Sequence, residues 1–508
     1  MSDWSSGYNV DIGYTYGFYK ELSPSWMNYV ANVQGYVSPS GDKLRYLELG
    51  CGYGFGLILL AAVHPDYEFL GIDFNPVHVA HGRKLAKQSG LTNIKFEEAD
   101  FVKVAKEWPA EWGTFDYVVA HGIYTWLDSH VRDALVTTIE HATSPGSLVY
   151  LSYNTMPGWL SSLPVQHLLR LWQRTEKLES VAAIRNGTKR LKGLLDAKSA
   201  MTVALPRMQR RLEDMDSKEI NYLVHEYLHD GWKPVWFNEM MEALSKAKLD
   251  YVGTASVGNL VVEKILPKSW MELLSQFDDP IIRQVMIDVL VNQNFRKDIF
   301  ARGACKLWDF EKQQKLLAMP FVFMYVPENN EFKFNLSLGK VDGQAEIYSA
   351  YVNALMGGQK TVRELLDLTG RSLNETIEAM TMLMHEGYVA LYQPISNRKA
   401  AKALNRTIIE NSENGAPYTF LISPETGSIF STTNTNLIMA YVLLREPRIN
   451  DPKSLGEILV KRLSALGKSL AKDGKPLQTQ DERLQQATTL ADAFLNKTWV
   501  TWKKLGVI

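Results

Sequence analysis

One stretch constrains this chain more than any other: Arg45-Tyr46-Leu47-Glu48-Leu49-Gly50-Cys51-Gly52-Tyr53-Gly54-Phe55-Gly56. An apolar run of strand length ends in alternating glycines, and a helix-forming apolar run follows over residues 57–63. This order predicts a strand, a tight turn and a helix N-terminus. Glycine lets the backbone of such a turn approach a ligand, because no Cβ intervenes. The helix start behind it offers N–H groups and the positive end of a dipole, so a carboxylate or phosphate is expected there. A dinucleotide fingerprint would need glycine at position 55, where Phe55 stands, and no Gly-Lys-Ser/Thr follows to make a phosphate loop.

The next segments narrow the ligand. Residues 67–73 read as a second buried strand ending in Asp73, nineteen positions after Gly54 (73 minus 54). An acid at that strand tip is placed to accept hydrogen bonds from ribose hydroxyls. Asn75-Pro76 caps a helix that Gly90 ends. Residues 94–100 form a third strand ending in Asp100, residues 115–120 a fourth, and Pro145-Gly146 a turn into a fifth. Singly, each acid at a strand end reads more readily as a capping or surface group. Together and in order, they describe a nucleoside site.

The pattern Glu48-x-Gly50-x-Gly52-x-Gly54 resembles the first motif of the class I S-adenosylmethionine-dependent methyltransferases. The resemblance implies S-adenosylmethionine as cofactor. It also implies an adenine bonded by the residue matching Asp100, with the one matching Phe101 packed on the ring. The cofactor set it suggests is Tyr14, Glu48, Gly50, Cys51, Gly52, Gly54, Asp73, Phe74, Asp100, Phe101 and His121.

Ligands bind beyond the C-terminal ends of parallel strands in open sheets. After the fourth strand comes His121-Gly122-Ile123-Tyr124-Thr125-Trp126-Leu127, and after the fifth Tyr153-Asn154-Thr155-Met156-Pro157-Gly158-Trp159. Both segments hold aromatics and hydrogen-bonding groups. His121, Tyr124, Trp126, Tyr153 and Asn154 are the candidates for the transfer site, although a structural role for His121 fits its position equally. The first forty residues are rich in aromatics, among them Tyr8, Tyr14, Tyr16 and Tyr19. They read either as a helix packed on the sheet or as a cover over the cofactor.

His225-Glu226-Tyr227-Leu228-His229 matches the zinc-hydrolase pattern H-E-x-x-H, but Gly231 and Pro234 close the helix that the pattern needs. No metal is expected. With Pro234-Val235-Trp236-Phe237, the same segment resembles the methyltransferase regulatory domain beside certain bacterial class I methyltransferases. Residues 10–305 resemble that family, whose better-known members are the rickettsial protein-lysine methyltransferases. The resemblance favours a lysine of a protein as methyl acceptor. A cell-surface sugar or its precursor, or a non-catalytic cofactor-binding partner subunit, remain the alternatives.

The balance of Lys+Arg 55 against Asp+Glu 56 gives a net charge of -1, which offers no basic field for nucleic acid. The trio Arg207, Arg210 and Arg211 is followed at once by Glu213, Asp214 and Asp216, and reads as a solvated helix face. Cys51 and Cys305 are the two cysteines, too few for a disulfide framework. No apolar run reaches membrane-span length. A cytoplasmic protein is expected.

The expected fold is α/β: a Rossmann-like class I methyltransferase sheet with a helical insertion, plus a mainly helical C-terminal module with a winged-helix-like segment. Five parts are expected. Residues 1–40 form an aromatic lid, 41–159 the methyltransferase core, and 160–262 a helical regulatory insertion that returns to the sheet. Residues 263–335 form a helical middle segment, including one amphipathic helix over 281–300, and 336–508 the C-terminal module. The second helix of the winged-helix-like segment, 373–386, contains no Lys or Arg and carries Glu375, Glu378 and Glu386. It suits a protein contact better than DNA. A homodimer through the middle or C-terminal segments stays open.

Overall fold

The computed structural model describes residues 16–216, 218–229, 231–325, 331–472 and 475–508. Helix α1 (Pro24–Val33) starts where Ser23 accepts a bond from the Trp26 N–H and Pro24 takes the first turn. Strand β1 (Arg45–Leu49) then runs through the centre of the protein. Helix α2 (Phe55–Val63), β2 (Glu68–Asp73), α3 (Pro76–Gln88), β3 (Ile94–Glu98), α4 (Phe101–Lys106), β4 (Phe115–Ala120), α5 (Ser129–Ala142) and β5 (Thr143–Asn154) follow in alternation. Every residue of β4 but Asp116 is buried, and so is every residue of β5 from Ser147 on, as strands covered on both faces require.

Helices fill the next ninety residues: α6 (Leu163–Glu176), α7 (Ser180–Asp196), α8 (Ala200–Ala204), α9 (Pro206–Asp216), α10 (Ile220–Tyr227) and α11 (Phe237–Ser245). The chain then returns to the sheet as β6 (Leu249–Thr254), passes α12 (Lys268–Leu274) and α13 (Pro280–Val291), and finishes the sheet with β7 (Phe295–Arg302). The seven strands lie in the order β3-β2-β1-β4-β5-β7-β6. β7 is antiparallel to both neighbours. The return to the sheet agrees with the sequence reading.

The single helix expected over 281–300 is corrected. It stops at Val291, where Asn292 turns left-handed, and its second half is β7. Arg296 and Asp298 imitate a polar helix face in the sequence. In the fold they are buried and neutralise each other, with Arg296 Nε donating to Asp298 Oδ2 at 2.6 Å. The turn expected at Pro145-Gly146 lies inside β5, in an irregular stretch where its register against β4 shifts.

Helix α2 is buried on almost every side. One side meets the sheet, and the C-terminal half covers the other. The Tyr418 ring stacks on Phe55 at 4.8 Å, and Tyr418 OH lies 2.8 Å from His81 Nε2. A helix apolar all round needs cover on both sides, so the C-terminal half is built into the core. Within that half, helices Ala345–Met356, Val362–Thr369 and Leu373–Glu386 pack with an antiparallel sheet of Pro320–Phe323, Lys360–Thr361 and Val389–Leu391. Helix Leu373–Glu386 is mostly buried, and its Thr381 bonds Tyr29 of α1. Among the described residues, no helix is long and apolar enough to cross a membrane.

Candidate functional site

The glycine turn after β1 is the floor of a cleft. Gly50, Gly52 and Gly54 have φ of 70°, 54° and 70°, the left-handed region that favours glycine. A Cβ on Gly54 would lie 2.3 Å from the Phe96 ring, so the turn also packs too closely on β3 for any side chain. Asp73 fastens this turn. Its Oδ2 accepts from the Gly52 N–H at 2.8 Å and its Oδ1 from the Asn75 N–H at 2.9 Å, with His78 Nδ1 3.2 Å from Oδ1. Oδ2 keeps a lone pair for a further donor.

The cleft takes in about 590 Å³ of empty space, open solvent at its mouth included. Glu48, Cys51 and Gly56 line it from the turn, and Gly17, Phe18 and Tyr19 from the N-terminal segment. Burial, with Asp73 adding repulsion, pushes the Glu48 carboxyl up to about 8. A bound ammonium is the partner such a carboxyl lacks. Tyr16 stacks at 4.5 Å on Tyr53, a lining residue, and packs edge-on to Tyr418. Tyr8 and Tyr14 lie outside the described residues. Asp100 caps α4 by accepting from the Val102 N–H at 2.7 Å, and Phe101 packs beside it. These two, with Asp73 and Phe74, stand at the ends of β2 and β3 rather than in the cleft lining.

A second cavity of about 1070 Å³, mouth included, meets the first. Tyr19 and His121 line both. Their rings lie 3.9 Å apart. His121 Nδ1 is within hydrogen-bond reach of Tyr150 OH (2.9 Å) and Ser152 Oγ (3.0 Å). Burial, reinforced by Lys297, drives the imidazole down to about 3, so it is neutral at physiological pH. Aromatic side chains of Tyr19, Trp126, Trp159, Tyr222 and Phe295 wall the cavity.

The other expected transfer residues are placed differently from one another. Trp126 is in the cavity wall, its Nε1 donating to the His225 carbonyl at 3.1 Å. Asn154 is also in the wall, 2 % exposed, and its Nδ2 has no partner among the described residues. Tyr124 is buried in the second core cluster, with the Arg132 guanidinium 6.0 Å over its ring. Tyr153 lies away from both cavities and donates its hydroxyl to Asp298 Oδ2 at 2.6 Å.

Sequence reasoning missed Tyr19, Arg211, Tyr222, Glu226 and Lys297 as cavity residues. Arg211 belonged to the basic trio read as solvated. Lys297 was hidden in the segment read as helix, and it pairs with Glu21 at 2.6 Å. The helix carrying His225 ends at Tyr227, before His229, as Gly231 and Pro234 suggest. Among the described residues, no group of His, Cys, Asp and Glu is arranged to hold a metal ion.

Comparisons with known proteins agree with this geometry. Residues 40–213 match the family model of a methyltransferase domain, and residues 219–302 that of a predicted methyltransferase regulatory domain. A Synechocystis protein, sll1526, is 30% identical over 99% of both chains. A Rickettsia prowazekii protein, RP789, is 21% identical over 94% of this chain and 90% of its own. The solved structure of PKMT2 from Rickettsia typhi in complex with AdoHcy superposes with a TM-score of 0.67 over 95% of this chain and 98% of that one. At 16% identity, that likeness shows a shared fold.

Proposed function

The chain belongs to the class I S-adenosylmethionine-dependent methyltransferases that carry a methyltransferase regulatory domain, and on that footing we propose that it methylates the side-chain nitrogen of a lysine in a protein. The observation that carries this reading is the aromatic second cavity, which shares the walls of Tyr19 and His121 with the cofactor cleft. Aromatic faces attract a cationic side chain, and a water-poor cavity lowers the pKa of an amine inside it. A sugar hydroxyl would need a firm base. His121, at about 3, is a feeble one. The solved relative, named PKMT2, supports the same reading by fold.

The residues fit the cofactor. When bound, it supplies an electrophilic methyl group on a sulfonium sulfur. The turn at Gly50, Cys51, Gly52 and Gly54 would let backbone approach it, and Glu48 would take its ammonium. We assign Asp73 to the ribose, and Asp100, Phe101 and Phe74 to the adenine. Tyr19 belongs to the cover. The protein's main tasks are alignment and exclusion of water. Tyr19 and His121 hold the boundary where the two substrates meet, and Trp126 walls the acceptor. Tyr124, Tyr153 and Asn154 keep the strand ends in place. The two thiols, both free, suit the cytoplasm. The C-terminal helices and their small sheet form a winged-helix-like unit that holds α1 and α2 in place. With helix Leu373–Glu386 buried, it is unsuited to a DNA groove.

The test is incubation of protein with methyl-labelled cofactor and extract of a strain lacking it. Label in protein, recovered after hydrolysis as methyl-lysine, is the expected result. Label only in polysaccharide or small molecules overturns the lysine reading, and cofactor binding without any labelled product points to a non-catalytic subunit.

A further inference from the structure

The motif His225-Glu226-Tyr227-Leu228-His229 holds no metal arrangement, yet α10 carries Glu226 to the wall of the acceptor cavity. Glu226 is 7 % exposed. Its nearest charge is Arg211 of α9, whose Nη2 lies 3.9 Å from Oε1. The Arg211 guanidinium is itself held 4.2 Å over the Trp159 ring. This is a carboxyl inside an aromatic enclosure, next to a cation fixed by stacking.

We propose that Glu226 receives the proton that the incoming lysine ammonium must shed. The proposal rests on the lysine reading above. An ammonium that enters the cavity loses water, and Glu226 is the carboxyl lining it. One N–H bond breaks and its proton passes to a Glu226 oxygen. The freed nitrogen lone pair forms the bond to the methyl carbon as the carbon–sulfur bond breaks, and that bonding pair stays on sulfur. The products are a methylated ammonium and a neutral thioether. Glu226 then passes its proton to water as the product leaves.

The electrostatics suit the task. Burial pushes the Glu226 carboxyl up to about 7, with Arg211 opposing. A base is most useful when its pKa lies near the working pH. Tyr222 and Tyr227 face it from its own helix, and Tyr222 is itself pushed up to about 12 by burial and by Glu226. Across the cavity stand Tyr19, His121, His225, His229 and Lys297, the last held by Glu21. The segment matched to a regulatory domain would therefore act by completing the acceptor site.

Glu226→Gln keeps the shape and removes the base. Methyl-lysine formation in extract protein should rise with pH through about 7 in the wild type. In Glu226→Gln it should fall about tenfold or more at neutral pH, lose that limb, and approach wild type in alkali, where lysine is already neutral. Cofactor affinity by calorimetry should be unchanged. A direct readout accompanies the kinetics: of the infrared bands of protonated carboxyls that titrate near neutrality in the wild type, the one from Glu226 should be missing from the variant while that of Glu48 stays. Wild-type methyl-lysine formation with the same pH profile in Glu226→Gln overturns this proposal alone. Absence of methyl-lysine in the wild-type reaction overturns the lysine reading and this proposal with it.

Discussion

The two cavities are made in different ways. The cleft proposed for the cofactor is floored by backbone, and its turn comes from seven consecutive residues, Gly50 to Gly56. The cavity proposed for the acceptor is walled by side chains from Tyr19, His121, Trp126, Arg211, Glu226 and Lys297, brought together from across almost three hundred residues. A backbone site tolerates little change in conformation and leans on few side chains, here Asp73 and Glu48. A side-chain site can be re-lined without disturbing the sheet, which is how one fold serves many acceptors. Substitutions in the two regions should therefore fail in different ways.

Gly54→Val should have the largest effect. It puts a branched residue at φ 70° and a Cβ 2.3 Å from the Phe96 ring. Calorimetry should find cofactor binding lost, and stability should fall by about 3 kcal/mol. Near-normal affinity would mean that the turn is only a structural corner. Trp126→Ala should leave cofactor affinity intact while lowering kcat/KM for the acceptor by about 10- to 100-fold, roughly 1.4–2.8 kcal/mol. If it weakens cofactor binding equally, the cavities are not separable.

Asp73→Asn comes next. It removes the charge from the group that accepts the Gly52 and Asn75 N–H bonds, so cofactor binding should weaken by about 1–3 kcal/mol. The Glu48 carboxyl gives a pH test confined to the cleft. It sits at about 8, so it is mostly neutral at pH 7 and ionises as pH rises. The cofactor ammonium prefers the ionised form. Affinity should therefore increase with pH up to about 8, by up to about tenfold per unit below it, with proton release on binding. Glu48→Gln should flatten that dependence, and a wild-type profile already flat would show that no ammonium sits there. The smallest effect is expected from Tyr153→Phe. Asp298 keeps its bonds to Arg296, so stability should fall by only about 1 kcal/mol, with kcat within a few-fold of wild type. A large loss of rate would move Tyr153 from support to chemistry.

The sequence by itself determined the first five strands, the glycine turn, the cap at Asn75 and the acids at the ends of β2 and β3. Each of these is set by interactions within a few residues: a positive φ that wants glycine, an orphan N–H that wants a side-chain oxygen, an apolar run that must be covered. The tertiary structure alone decided that β7 is a strand. A polar periodicity looks the same whether Arg296 and Asp298 face water or each other, and only the partner Asp288, eight residues earlier on α13, shows that they are internal. It also turned Arg211 from a solvated charge into a cavity wall and put Tyr19 between the two cavities, on ring contacts with residues a hundred or more positions away. Such contacts leave no local trace in a sequence. Their residue types are fixed by what the folded chain places opposite them.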